Sequence, residues 1–231
     1  TVASKARIFL LVAQDADVVV ALTEAERLGA VGRGFAYLVA DSTSTQLSSA
    51  PLAPANVNEL AAGFLRMQAT VPPNPREAAL QEMWSQLAGT GEAAELALEY
   101  PILELPDDAF DTPFPNAGAL FYDAVIALAL ACNASLHDDG ALGQGSEIMA
   151  NLVTTQFDGA SGRVAFDESN GDRLLATVTI GLQNFVLDDD GGLIEVSVGT
   201  WTLGSGVQLD RAIIWPGLTT DIPNDGANCG P

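Results

Sequence analysis

The segment FDGASGRVAFDESNGDR, residues Phe157–Arg173, decides the fold, together with the strand-like stretch to Asn184, GTW at Gly199–Trp201 and IIWPG at Ile213–Gly217. Gly159 and Gly162 punctuate the approach to a short strand, and Asn170, Gly171 and Asp172 read as an exposed turn in which glycine relieves a positive backbone dihedral. Strands are expected over Arg163–Phe166, Leu174–Phe185 and Leu193–Thr202, where apolar residues alternate or run together. The Asp188–Gly192 cluster marks the hairpin turn between the last two. Trp201 and Trp215 flank apolar runs and read as packing anchors rather than ligand platforms.

Toward the N terminus, Arg7–Ala13 is a short apolar run bounded by polar residues. The stretch Asp15–Leu28 places Ala16, Val19, Val20, Leu22 and Leu28 between charges. This is strand then helix, stopped at Gly29 and Gly32, and Phe35–Ala40 supplies the next buried strand. A right-handed βαβ unit follows, and with it a parallel sheet. Residues 42–58 read as a surface loop and Phe64–Val71 as a further strand before VPPNP. Pro75 opens a helix to Leu87. Residues 89–116, acidic and proline-rich, read as a connecting segment crossing between lobes. Helices are expected at Ala117–Ala134 and Ser146–Gln156; the first is strongly apolar and therefore buried, and both are expected to pack deep.

Composition narrows the function classes. Thirty acidic residues against nine basic ones give a formal charge of −21, which repels nucleic acid phosphates and anionic lipid heads. With 48% hydrophobic residues the chain has ample apolar surface for a packed core. Lys5, Arg7 and IFLLVA resemble a secretory leader, but Gln14, Asp15 and Asp17 end the apolar run too early, so the segment reads as a strand. Leu120–Ala131 is interrupted by Asp123 and falls short of the roughly 20 residues a bilayer span needs. A soluble chain is expected. Cys132 sits in an apolar helical run and Cys229 in a polar tail; free thiols, intermolecular pairing and a mutual bridge all stay open.

No sequence pattern selects a catalytic centre. There is no P-loop, GxGxxG, HExxH or CxxC. His137, the single histidine, lies in the polar stretch LHDDGALGQG, a poor setting for the oriented base of a serine triad. Asp188–Asp190 lack the spacing and terminal glutamate of an EF-hand and read as a solvated hairpin tip. Carboxylates suited to glycoside chemistry are plentiful, but nothing selects a pair. Asn133, Ala134 and Ser135 form the short glycosylation acceptor pattern. No enzyme activity, metal or cofactor is expected.

Further phrases join the opening one: EAERLG at Glu24–Gly29, a strand ending in Asp41, and FYDAV at Phe121–Val125. In this order and spacing the chain resembles the type I periplasmic-binding-protein superfamily. The similarity is to the receptor-type branch that supplies ectodomains to class C and natriuretic-peptide-type receptors. The resemblance implies a three-layer α/β/α fold with a mostly parallel sheet and two lobes. Lobe two would occupy residues 1–97, the late part of lobe one 98–172, the return into lobe two 173–215 and a tail 216–231. The N-terminal half of lobe one would be absent.

The resemblance also implies where a ligand would sit. In open parallel sheets ligands bind beyond the carboxyl ends of the strands, which here means Gln14 and Asp15 after the first strand and Asp41, Ser42 and Thr43 after the second. Asp41 matches an acidic position that pairs with a ligand ammonium in amino-acid-binding relatives; its other reading is an ordinary loop aspartate or helix cap. Gln14 stands where relatives place a contact that is often aromatic. Asn116–Gly118 is either a pocket wall or a helix cap. Tyr122 and Asp123 are expected to serve packing and interlobe hydrogen bonding. The implied function is an extracellular, clamshell-type receptor region that senses a small polar, amino-acid-like ligand. It would meet a membrane only through a downstream segment, and a homodimer is compatible with it. The alternatives are a periplasmic solute-binding component of a transporter, or a protein interaction or dimerisation module without a small ligand.

Overall fold

The computed structural model of the chain describes residues 6–100, 109–112, 114 and 117–223. Its strands are β1 (Ile8–Leu11), β2 (Ala36–Ala40), β3 (Leu65–Thr70), β4 (Phe157–Gly159), β5 (Gly162–Val164), β6 (Thr179–Leu187), β7 (Leu193–Thr202) and β8 (Gly206–Leu209). Its helices are α1 (Asp15–Arg27), α2 (Val57–Ala61), α3 (Pro75–Gln86), α4 (Glu92–Glu99), α5 (Gly118–Ala134) and α6 (Gly145–Thr154). The chain divides into two compact units, one from Thr1–Ala69 with Ile180–Pro231 and one from Thr70–Thr179. Helix α3, grouped with residues 1–97 in the sequence expectation, falls in the second unit. The α/β class expected from the sequence is the class observed.

The first unit is organised by a six-stranded sheet of order β1-β2-β3-β6-β7-β8. Strands β1, β2 and β3 run parallel, with Phe9 opposite Tyr37 and Leu38 opposite Leu65, while β8 closes antiparallel on β7. Helix α1 buries Val18, Val19 and Leu22, spaced to line one face. That face meets Phe9, Tyr37, Phe64 and Phe185, whose rings stack in series at centroid separations of 5.1, 4.9 and 6.4 Å. Fully burying such a side chain contributes about 1.5–3 kcal/mol, so this row, three of whose four rings are buried, is a substantial part of the unit's core.

A second cluster joins Leu38, Leu65, Met67, Leu182 and Val198 to Ile213 and Trp215. Buried Asn184 fixes this arrangement: its Nδ2 donates to the carbonyls of Phe64 and Ile214, each at 2.9 Å, and its Oδ1 accepts from the Ile214 N–H at 2.7 Å. Gly63 completes the clamp, since with φ +97° it adopts the left-handed region and a Cβ there would fall on the Trp215–Pro216 backbone. The IIWPG phrase is therefore a structural strap.

In the second unit Asn74 caps α3, accepting from the N–H groups of Arg76 and Glu77 at 3.0 Å. Its Nδ2 donates to the Ala160 carbonyl at 2.8 Å and ties α3 to the β4–β5 hairpin. Trp84 on α3 packs edge-on against Phe110 and Phe114 and donates from Nε1 to the Thr112 carbonyl at 3.0 Å. Among the described residues no helix is long and apolar enough to cross a membrane.

Several element expectations are corrected. The segment 89–116 holds the helix α4, and 42–58 holds a 3-10 turn at Leu47–Ser49 and the start of α2. The strand expected over Leu174–Phe185 begins only at Thr179, after a 3-10 turn at Leu175–Thr177. Helix α5 does not pack deep through its large residues. It buries Ala119, Asp123, Ala127 and Ala131, spaced by four, while Phe121 and Val125 are 72% and 66% exposed. Close approach selected the small side chains, because bulky ones would hold neighbouring elements apart. Helix α6 has no buried residue at all. Cys132 is a partly buried free thiol. Cys229, Asn116, the 101–108 part of the connecting segment and the end of the tail lie outside the described residues.

Candidate functional site

Parallel pairing of β1 with β2 brings their carboxyl ends side by side, and with them the five residues expected at a ligand site. The structure divides these five into two kinds. Asp15, at the start of α1, accepts from the Ser44 N–H at 2.7 Å and from the Ser44 hydroxyl at 2.6 Å. Ser42 donates to the Ala13 carbonyl at 2.9 Å, and Thr43 donates to the same carbonyl at 3.4 Å. Thr43 is fully buried. These three clasp the loop after β2 onto the loop after β1. Gln14 and Asp41 are exposed, and no side-chain hydrogen bond or ion pair engages either among the described residues.

The clasp has a second anchor that the sequence reading missed. Arg66 of β3 donates from Nη1 to the Thr43 carbonyl at 3.0 Å and from Nη2 to Gln68 Oε1 at 2.7 Å and to Glu195 Oε2 of β7 at 2.5 Å. Arg66 Nε is buried without a partner. Burial pushes the Glu195 carboxyl above its ordinary value, partly offset by the adjacent Arg66 guanidinium. A lone arginine inside the strand-like LRMQAT and a lone glutamate inside LIEVSV were the available signal, since charges in half-buried strands need partners. Their pairing across the intervening β6 was not readable from spacing.

Charge at this edge favours cations. Asp15 and Asp17 sit in the first turn of α1, where they complement the helix dipole, and Asp41 adds an unpaired carboxylate one strand away. An anion would meet like charge here. An ammonium group would meet Asp41 without first breaking an internal contact.

The Phe157–Arg173 phrase has a different role. Asp123, 2% exposed, accepts from the Ala160 N–H at 2.8 Å, from the Ser161 N–H at 2.6 Å and from the Ser161 hydroxyl at 2.5 Å. A Cβ at Gly159 would collide with that carboxylate. Arg173 closes the ring by donating to Ser161 Oγ at 2.7 Å and to the Arg163 carbonyl at 2.8 Å. The expectation that Asp123 bonds between lobes is corrected: its partners all lie in the second unit. Asn170 and Gly171 form the expected turn, with Gly171 at φ +79°. Cavities of about 360 and 430 Å³ flank Asp123, the first lined by Arg76, Met83, Tyr122 and Phe157, the second almost wholly apolar.

The remaining candidates are placed plainly. His137 is exposed, its Nε2 3.6 Å from Glu147, and among the described residues no serine hydroxyl hydrogen-bonds to its ring. Asp188 spends its carboxylate on the N–H groups of Asp190 and Gly192 at the hairpin tip, at 2.9 and 2.7 Å. No metal-holding group of three His, Cys, Asp or Glu occurs among the described residues.

Two comparisons with known proteins bear on this geometry. The chain is similar to metabotropic glutamate receptor-like protein E of Dictyostelium discoideum, 27% identical over 138 residues, which is 59% of this chain and 16% of that protein. The family model described as receptor family ligand binding region matches residues 1–184. That match covers most of the 231 residues, and the chain belongs to the family of receptor ligand-binding regions, of type I periplasmic-binding-protein-like fold.

Proposed function

We propose that the chain is an extracellular ligand-binding region that captures a small polar ligand carrying an ammonium group, such as an amino acid, at the carboxyl ends of β1 and β2. The observation that carries this reading is Asp41, an exposed carboxylate without a side-chain partner among the described residues, beside a loop held in place by Asp15, Ser42, Thr43 and Arg66. Family membership supports it, as does the name of the Dictyostelium relative. Asp41 pairs with the ammonium, Gln14 offers an amide to a polar group, and the clasp keeps both in register. Binding and closure suffice; no covalent chemistry is needed, so the reading is not an enzyme. The unit containing the β1–β3 sheet serves as lobe two and the Asp123 unit as the late part of lobe one, and ligand favours closure through its higher affinity for the closed state.

Calorimetry with a panel of α-amino acids tests the reading. At least one should bind, and Asp41→Ala should weaken it tenfold or more while leaving the thermal midpoint unchanged, as removal of an unpaired surface carboxylate does. Binding undiminished in Asp41→Ala would remove Asp41 from the site.

One observation favours a second reading, an interaction module. Strand β1 is a sheet edge on which Ile8 and Leu10 are 52% and 61% exposed, with Val12 just past its end 75% exposed, a surface suited to a second copy of the chain. Sedimentation showing concentration-dependent dimers, indifferent to every amino acid tested, would favour this reading instead.

A further inference from the structure

Of ten asparagines in the chain, only Asn133 is followed two positions later by serine or threonine, and the intervening Ala134 is not proline. It occupies the last turn of α5, one residue before the helix ends. Its side chain is exposed and takes part in no hydrogen bond among the described residues. Ser135 is the opposite case: 7% exposed, it donates from Oγ to the Ala131 carbonyl at 2.8 Å and accepts from Asn151 Nδ2 of α6 at 2.8 Å.

We infer that Asn133 is an N-glycan acceptor, modified before α5 closes. This rests on the proposed extracellular location, since the donor is a lipid-linked oligosaccharide of the secretory lumen. In the transfer, Asn133 Nδ2 forms a bond to the anomeric carbon, the bond from that carbon to the lipid pyrophosphate oxygen breaks, and the proton the amide loses passes to the released pyrophosphate. The reaction needs the serine hydroxyl beside the asparagine amide. In the folded chain that hydroxyl is turned inward and already bonded, so the extended nascent segment is the substrate. Folding then buries the serine and leaves the asparagine exposed, the setting a bulky polar group requires.

The location gives the glycan a physical effect. Leu130, one helical turn before Asn133, and Leu136, three residues after it, are 43% and 50% exposed. The first sugars would lie over this end of the exposed α5 face and exclude other chains from it. The motif thus combines two unlike residues: the Asn133 side chain makes no hydrogen bond among the described residues, whereas Ser135 is buried and makes two.

The test is secreted expression of the full chain in animal cells, behind a supplied leader and with an added C-terminal acceptor sequon that reports entry into the lumen. Intact mass before and after peptide-N-glycosidase is the readout, with peptide mapping of the residue converted to aspartate. Two glycans are expected, and one in Asn133→Gln, whose thermal midpoint should match the parent. A chain glycosylated only at the added sequon overturns the inference, as does a second glycan that persists in Asn133→Gln. Calorimetry on the same material keeps the two proposals apart: amino-acid binding without a glycan at Asn133 spares the receptor reading alone, and a glycan without binding spares only this one.

Discussion

At the residue scale, the loop that carries the proposed site is held by one ion pair the sequence did not announce. Arg66 holds the Thr43 carbonyl, and Glu195 holds Arg66. Burial raises the Glu195 carboxyl above its ordinary value of 4.5, so the folded chain holds that proton more tightly than the unfolded chain does. The contribution is fully present below the unfolded value and is lost as pH rises through the folded one. Urea unfolding across this window should therefore show the stability of the parent falling, relative to Glu195→Gln, as pH increases from about 4.5 toward neutrality. A difference that stays flat or rises with pH would contradict the assigned burial. Asp41 and Gln14 were legible as candidates because each ends a recognisable strand. That Asp15, Ser42 and Thr43 hydrogen-bond to one another's loops was not legible, since a hydroxyl's direction depends on what the fold sets against it.

At the element scale, α5 shows how apolar content misleads. Its seventeen residues are hydrophobic almost all round, which reads as deep burial, yet the buried stripe is alanine and aspartate. The stripe is where the helix comes close to its neighbours, including α6 and the β4–β5 hairpin. Ala131→Leu should therefore lower stability by about 1–3 kcal/mol through overpacking. Val125→Ala, on the solvent side, should stay within about 0.5 kcal/mol, because little burial is lost and alanine favours helix. Denaturant midpoints of the two variants decide the matter, and the reverse order would mean the helix faces the other way. The glycine and aspartate phrase from Phe157 to Arg173 was read from sequence as turns and a short strand. Its larger purpose, a hydrogen-bonded cradle for Asp123 of α5, required the helix and the hairpin to be brought together.

At the scale of the whole molecule, a formal charge of −21 on 231 residues makes self-repulsion a general destabilising term. Raising ionic strength from about 0.01 to about 0.1 M shortens the screening length from about 30 to about 10 Å, so the thermal midpoint should rise by a few degrees. Scanning calorimetry at the two salts checks this, and a midpoint that falls would mean that surface ion pairs outweigh the repulsion. By itself the sequence determined the α/β class, the parallel β1–α1–β2 start and the family, because periodicity, turn residues and ordered phrases are local properties written along the chain. Tertiary structure alone decided which polar residues are free. Asp41 stays open while Asp15, Ser42 and Thr43 are consumed, and Asn133 stays out while Ser135 turns in. The physical reason is that a side chain's availability is set by the partners folding brings to it, and those partners, such as Arg66 with Glu195 and Asp123 with Ser161, lie far apart in sequence.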